Sequence, residues 1–177
     1  MTIKLRAVVC FAMLLMMVCV AATAQSGEKV ERIPLGNPDI PISAAVVVPA
    51  GYDTIYVSGH IAKVARPDAA KASTEMYGDT KIQTVSALQQ IADELAPMHL
   101  SMADVVMVHV FLAGDPANGG KMDFAAMNAG YLQFFGSKEQ PNKPARSTVQ
   151  VVALAAPGAL VEIEAIAVRK HQPQFMH

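Results

Sequence analysis

The residues best suited to chemistry lie near the C-terminal end, in PARSTVQVVALAAPGALVEIEAIAV, Pro144 to Val168. The stretch reads as two β-strands split by a Pro157–Gly158 turn. One strand opens with Arg146, and the other carries Glu162 and Glu164 among valine, isoleucine and alanine. A guanidinium is always charged, and its planar fork matches a carboxylate, so an arginine at a strand start suits the carboxylate of a small acid. Glu162 and Glu164 share one strand face, with Val161, Ile163, Ala165 and Ala167 on the other. The glutamates' own face turns apolar at Ile166 and Val168, which fits a cleft edge or an interface better than open solvent. A carboxylate so placed is a candidate general acid or base. The plainer readings are a surface arginine and a solvated pair at a strand end. In a simple hairpin Arg146 would pair near Val168 and sit more than about 10 Å from Glu162. The two serve one site only if the strands pair differently or a neighbouring subunit closes the gap.

The other candidates carry less information. His60 follows a strand-ending Ser58–Gly59, a common place for site residues. His109 lies inside an apolar run and reads as a core or interface histidine, His99 as a loop residue, and His171 and His177 as tail residues. No HExxH, His-x-His or clustered His/Asp pattern appears, so no metal site is expected. A glycine-rich phosphate loop and a G-x-S-x-G elbow are also missing. Ser58 and Ser147 read as polar contacts, not as nucleophiles, and the Met and Phe residues near position 130 as core.

These residues need a frame. Runs 44–49 and 54–58 read as strands joined by the turn Ala50-Gly51-Tyr52-Asp53. Ile82, Val85, Leu88, Ala92 and Leu95 recur at helical spacing and predict a helix over about 74–96, stopped by Pro97. The run 105–112 reads as a central strand, and Phe124, Met127, Tyr131, Phe134 and Phe135 mark a second helix over about 122–135, ended by Gly136. The order β-β-α-β-α-β-β predicts an α+β fold with both helices on one sheet face.

Composition bounds the setting. Residues 1–24 have the layout of a secretory signal peptide: Lys4 and Arg6, an apolar run from Ala7 to Val20, and Ala22-Thr23-Ala24 before Gln25. The run is too short to favour a membrane span, so no membrane association is expected after cleavage. Residues 25–43 read as a polar leader, 44–170 as the folded domain and 171–177 as a tail. Cleavage after Ala24 removes both cysteines, Cys10 and Cys19, as suits a secreted or periplasmic location. It also removes two of fourteen basic residues and none of fifteen acidic ones, leaving a formal charge of −3. That balance argues against nucleic acid as a partner. Low charge and abundant Ala and Val point to self-association.

At PARSTVQV…VEIEAIAV the sequence resembles the C-terminal signature of the YjgF/Rid family, the reactive intermediate deaminases. IYVSGHI is similar to that family's strand ending in Ser-Gly, and DFAAMNAGYLQFF to its second helix. The resemblance implies a chorismate-mutase-like α+β fold and a homotrimer with a barrel-like centre and clefts between subunits. It also implies that the last two strands are not a simple hairpin. The implied activity is hydrolysis of 2-imino acids, formed from enamines, to 2-keto acids and ammonia without cofactor or metal. Carried over by position, Arg146 matches the arginine for the substrate carboxylate and Glu162 the glutamate that handles the attacking water. Ser58 and Asn128 match residues lining the cleft. The chain departs from the pattern at three places: Pro41-Ile42-Ser43 replaces Gly-Pro-Tyr, Thr148 replaces a cysteine, and His60 replaces a glutamine. The loops at 66–73, 116–121 and 137–143 also look enlarged. Thr148 and His60 are therefore expected to shape an altered pocket. A non-catalytic carboxylate-binding trimer and a holdase-like protein-interaction role remain alternatives to the deaminase.

Overall fold

A computed structural model describes residues 29–171. The signal-like segment, both cysteines and His177 lie outside the described residues. Strand β1 (Glu31–Pro34) pairs antiparallel with β2 (Ser43–Val47) as a separate two-stranded sheet. The remaining elements are β3 (Tyr52–Ile61), α1 (Thr80–Leu95), β4 (Val105–Ala113), α2 (Phe124–Tyr131), β5 (Ala145–Val151) and β6 (Val161–Lys170). The main sheet has the order β3-β6-β4-β5, antiparallel except for the β4–β5 pair. That parallel pair needs a crossover, and α2 supplies it. The expected α+β mixed sheet with two helices is therefore present, and β5 and β6 flank β4 instead of forming a hairpin.

Several details differ from the sequence expectations, among them the second helix, which spans Phe124–Tyr131 instead of 122–135. The leader contains β1, which carries too few apolar residues and ends too soon at Pro34 to show a strand period. Strands β2 and β3 follow one another without pairing, each taking its partner from elsewhere. The first helix starts six residues later than expected, because Gly78 sits at φ +88 and breaks any continuous helix from Thr74. The Asp79 side chain then accepts from the Ile82 N–H and caps α1 at its true start.

The apolar stripe of α1 (Ala87, Leu88, Ile91 and Leu95) is fully buried against Val108, Val110, Ile163 and Ala165 of the sheet and against Met127, Tyr131 and Phe135. Each buried Leu, Ile, Val, Met or Phe among them contributes roughly 1.5–3 kcal/mol of transfer free energy. Gln83, also buried, donates to the Gly78 carbonyl and accepts from the Leu160 N–H, which ties α1 to the approach of β6. Among the described residues, no helix lies over the opposite face of the sheet. There Tyr56 is 78% exposed and Val149 47%, beside the half-buried Met107, Phe111 and Ile166.

Candidate functional site

Register decides which face each candidate occupies. Arg146 lies opposite Val108 of β4, and Val108 lies opposite Ala165 of β6, so Arg146 shares the helix-covered face. Glu162 lies opposite Phe111, and Glu164 opposite His109, on the open face. Within one chain the two principal candidates therefore stand on opposite faces of the sheet, separated by β4.

Around Arg146 the sequence builds a cradle. Phe124, Met127 and Tyr131 of α2 follow one another at helical spacing and turn towards β5. The guanidinium carbon lies 4.4 Å from the Tyr131 ring centroid and 5.6 Å from that of Phe124. Such cation–π contacts orient the guanidinium plane. Nη1 also lies 3.9 Å from the Met127 sulfur. Tyr131 is backed by Phe135, with ring centroids 4.7 Å apart. Burial lowers the proton affinity of Arg146 from its ordinary value, and Tyr131 opposes that shift. No carboxylate pairs with Arg146 among the described residues.

Three buried polar atoms on these walls have no hydrogen-bond partner: Asn128 Oδ1, Tyr131 Oη and Thr148 Oγ1. Thr148 stands two residues beyond Arg146 on the same face of β5, and Asn128 adjoins Met127 on α2. Burial raises the Tyr131 hydroxyl well above the usual tyrosine range, against the pull of Arg146 and Arg32. An unsatisfied buried polar group costs about 1–3 kcal/mol, so these three atoms beside the Arg146 guanidinium make the cluster a candidate binding site, with two hydroxyl donors and one amide acceptor.

The leader fixes the start of β5. Arg32 donates from Nη1 to the Lys143 carbonyl, and from Nη2 to the Ala103 and Val105 carbonyls at 2.9 and 3.0 Å. Ser43 Oγ donates to the same Lys143 carbonyl at 2.6 Å, and its N–H donates to the Pro144 carbonyl. Arg146 follows two residues later.

The open face has different chemistry. Strand β3 bulges opposite Glu164: Val57 pairs with Ala165 and His60 with Ile163, so Ser58 and Gly59 together face one residue. The Glu162 carboxylate lies over Gly59, where an added Cβ would overlap Oε1. The sequence-predicted Ser58 and Glu162 thus come together there. Glu164 accepts from His109 Nδ1 at 2.8 Å.

His60 joins neither group. Its register with Ile163 turns it to the helix side, where Nε2 lies 3.3 Å from Glu94 Oε1 without hydrogen-bond alignment. The structure therefore assembles Arg146, Asn128 and Thr148 in one place, Glu162 and Ser58 in another, and leaves His60 apart. Sequence reasoning missed the aromatic cradle and the His109–Glu164 pair. The 124–127–131 spacing beside Asn128 could have signalled the cradle; the pair depends on β4–β6 register, which no local pattern gives.

The fold and the Arg146 cluster define a class: a small α+β domain with an aromatic-backed cation held between a helix and an edge strand. Residues 40–169 match the family model described as Endoribonuclease L-PSP, and the chain belongs to that family, which includes the YjgF/Rid proteins. A RutC family protein from Haemophilus influenzae is 39% identical over 99 residues, 56% of this chain and 71% of that relative. One from Sulfurisphaera tokodaii is 34% identical over 136 residues, 77% of this chain and 92% of the relative. Among solved structures, YyfB from Yersinia pestis, a Rid family protein of unknown function, is 28% identical with a TM-score of 0.58, covering 80% of this chain and 98% of that one. Escherichia coli TdcF with bound serine is 28% identical with a TM-score of 0.51, covering 78% and 99%.

Proposed function

We propose that the protein is an exported, cofactor-independent deaminase that hydrolyses 2-imino acids such as 2-iminopropanoate to 2-keto acids and ammonia. Its site is completed between protomers of a homotrimer. The observation that carries this reading is the unpaired, aromatic-backed Arg146 guanidinium among the partnerless Asn128, Tyr131 and Thr148 atoms. A substrate carboxylate satisfies the guanidinium and the two hydroxyls, and the imine N–H satisfies Asn128 Oδ1. The serine held by TdcF has the same carboxylate and α-nitrogen arrangement. Glu162 of a neighbouring protomer, on the open sheet face, supplies the base for water. The imine carbon is already electrophilic, so orientation and proton transfer suffice. The apolar open face gives the neighbour something to cover, and the signal-like residues 1–24 support export.

The test is loss of 2-iminopropanoate, generated in situ, in the presence of the protein with residues 1–24 removed. Acceleration that Arg146→Ala abolishes supports the reading; no acceleration by the unaltered chain refutes it. One observation favours a second reading, a binder without turnover: Glu162 is remote from Arg146 within a chain. Calorimetric binding of 2-oxobutanoate without imine hydrolysis is its signature.

A further inference from the structure

The proposed reaction leaves His109 unused, although it is the one imidazole on the open sheet face among the described residues. On β4 the side chains of Val108, Val110 and Leu112 go to the core, while Met107, His109 and Phe111 go the other way. His109 lies opposite Glu164 on β6 and opposite Ser147 on β5. Glu162 is its diagonal neighbour, about 7–8 Å away by strand geometry and within reach of long side chains. Among the described residues no helix covers this face, and Glu164, Glu162 and Ser147 are the polar groups facing His109, with Tyr56 a strand further out.

We propose that His109, oriented by Glu164, is a second proton-transfer residue working beside Glu162; this rests on the deaminase reading above. The 2.8 Å contact to Glu164 holds a proton on Nδ1 and turns Nε2 away from β6, and Nε2 has no partner among the described residues. The same contact separates two glutamates that are alike in sequence. Glu164 is engaged by the imidazole, while Glu162 lies over Gly59 with no ion-pair partner among the described residues. Glu162 is therefore the free base and Glu164 the orienting group.

Hydrolysis needs two protons moved from water to nitrogen, and this pair carries both. Water oxygen bonds to C2 while one proton passes to Glu162; the C=N π electrons go to nitrogen, which takes a proton from the His109 imidazolium. The C–N bond of the carbinolamine then breaks with its electron pair leaving on nitrogen. Nitrogen takes the proton held by Glu162 and departs as ammonia. The remaining O–H proton passes to His109 as the keto group forms. Both side chains end in their starting states, and nothing is oxidised or reduced.

The experiment compares pH–rate profiles of the trimer for the unaltered chain, His109→Asn, His109→Gln and Glu164→Gln, with 2-oxobutanoate affinity measured alongside. The His109 variants lose one limb of the pH–rate profile and about 100-fold in kcat, with 2-oxobutanoate affinity unchanged. Glu164→Gln loses less, because the ring remains but is no longer oriented. Unaltered profiles and kcat in both His109 variants overturn the inference while the deaminase reading stands. A pH-dependent change in assembly mass with kcat intact overturns it too, and assigns the pair to the subunit contact. Absence of imine hydrolysis by the unaltered chain refutes the deaminase reading first and His109's role with it. If the variants fail to assemble, the His109 ring protons of the unaltered trimer are titrated by NMR. The expected result is a displaced midpoint on saturation with 2-oxobutanoate; an identical midpoint overturns the proposal.

Discussion

The two faces of the main sheet solve opposite problems. The helix-covered face is close-packed and apolar, yet it keeps one cation, Arg146, with aromatic rings on it and three polar atoms left without partners. The open face is half-exposed and partly apolar, yet it carries two carboxylates and an imidazole. Arg146 stands on one side of β4, and Glu162, Glu164 and His109 on the other. Under the proposed deaminase reading neither face is a complete reaction centre, and that reading requires the open face of one protomer to meet the edge strand β5 of another.

The largest effect comes from breaking the cationic half. Arg146→Ala removes the charged donor of this cluster and leaves the Tyr131 and Thr148 hydroxyls without the guanidinium that would hold an anion beside them. Stripping one partner from a buried, charge-assisted contact costs about 2–5 kcal/mol, so 2-oxobutanoate affinity falls by about 30-fold or more in calorimetry. Arg146→Lys recovers little, because an ammonium lacks the planar fork that Tyr131 and Phe124 flank. Mixing makes the comparison sharper. Arg146→Ala and Glu162→Gln chains, each inactive alone, are refolded together; in a cyclic trimer about one interface in four then joins an intact arginine to an intact glutamate. Recovery of about a quarter of the activity shows that the halves come from different chains, and no recovery breaks the shared-site account.

The carboxylate half gives the next effect, with a different signature. Glu162→Gln keeps the size and polarity of the side chain and removes the base, so kcat falls by about 100-fold while 2-oxobutanoate affinity is unchanged. Equal losses of affinity in the Arg146 and Glu162 variants would erase the division between the faces.

Much of this arrangement was readable from the sequence, and what was not shares one cause. Glu162 and Glu164 declared their common face through the two-residue period of β6, and Ile82, Val85, Leu88, Ala92 and Leu95 declared α1 through their helical period, although Ile82 is exposed and the buried stripe runs through Ala87, Leu88, Ile91 and Leu95. Arg146 stood out as the one charged residue of β5, at the start of the strand. Local patterns cannot report which strand lies beside which. The β3-β6-β4-β5 order puts Arg146 and Glu162 on opposite faces, sets His109 against Glu164 and turns His60 towards Glu94. Strand β1 escaped notice for the same reason: its stability comes from β2 and from Arg32 reaching three distant carbonyls, not from its own four residues.

A smaller effect tests how Glu162 is placed. Its carboxylate occupies the space a side chain would take at Gly59. Gly59→Ala displaces Glu162 without touching the Arg146 cradle, so kcat falls by about 10-fold, a partial loss of the general-base contribution. The melting temperature moves by only a few degrees, and 2-oxobutanoate affinity stays the same. A loss of affinity in this variant would show that the faces communicate within a chain.

The smallest effect is a control that belongs to neither face. Asp53, at the start of β3, accepts from His171 Nδ1 at 2.8 Å and from Arg169 Nη2 at 3.3 Å, tying β3 to the end of β6. The His171 hydrogen bond holds the Asp53 carboxyl below its ordinary value of 3.8; slight desolvation opposes this and Arg169 adds to it. A carboxyl depressed in the folded state stabilises the fold above its unfolded value, and that contribution is lost as pH falls through the folded value. Unfolding of the unaltered chain therefore shows extra acid sensitivity below about pH 4, and Asp53→Asn removes it, because only an ionised carboxylate draws on this linkage. At neutral pH the variant is slightly less stable in denaturant titration, while imine hydrolysis and 2-oxobutanoate binding match the unaltered chain. Altered turnover in Asp53→Asn would mean that the β3–β6 edge, and not the two faces alone, governs the site.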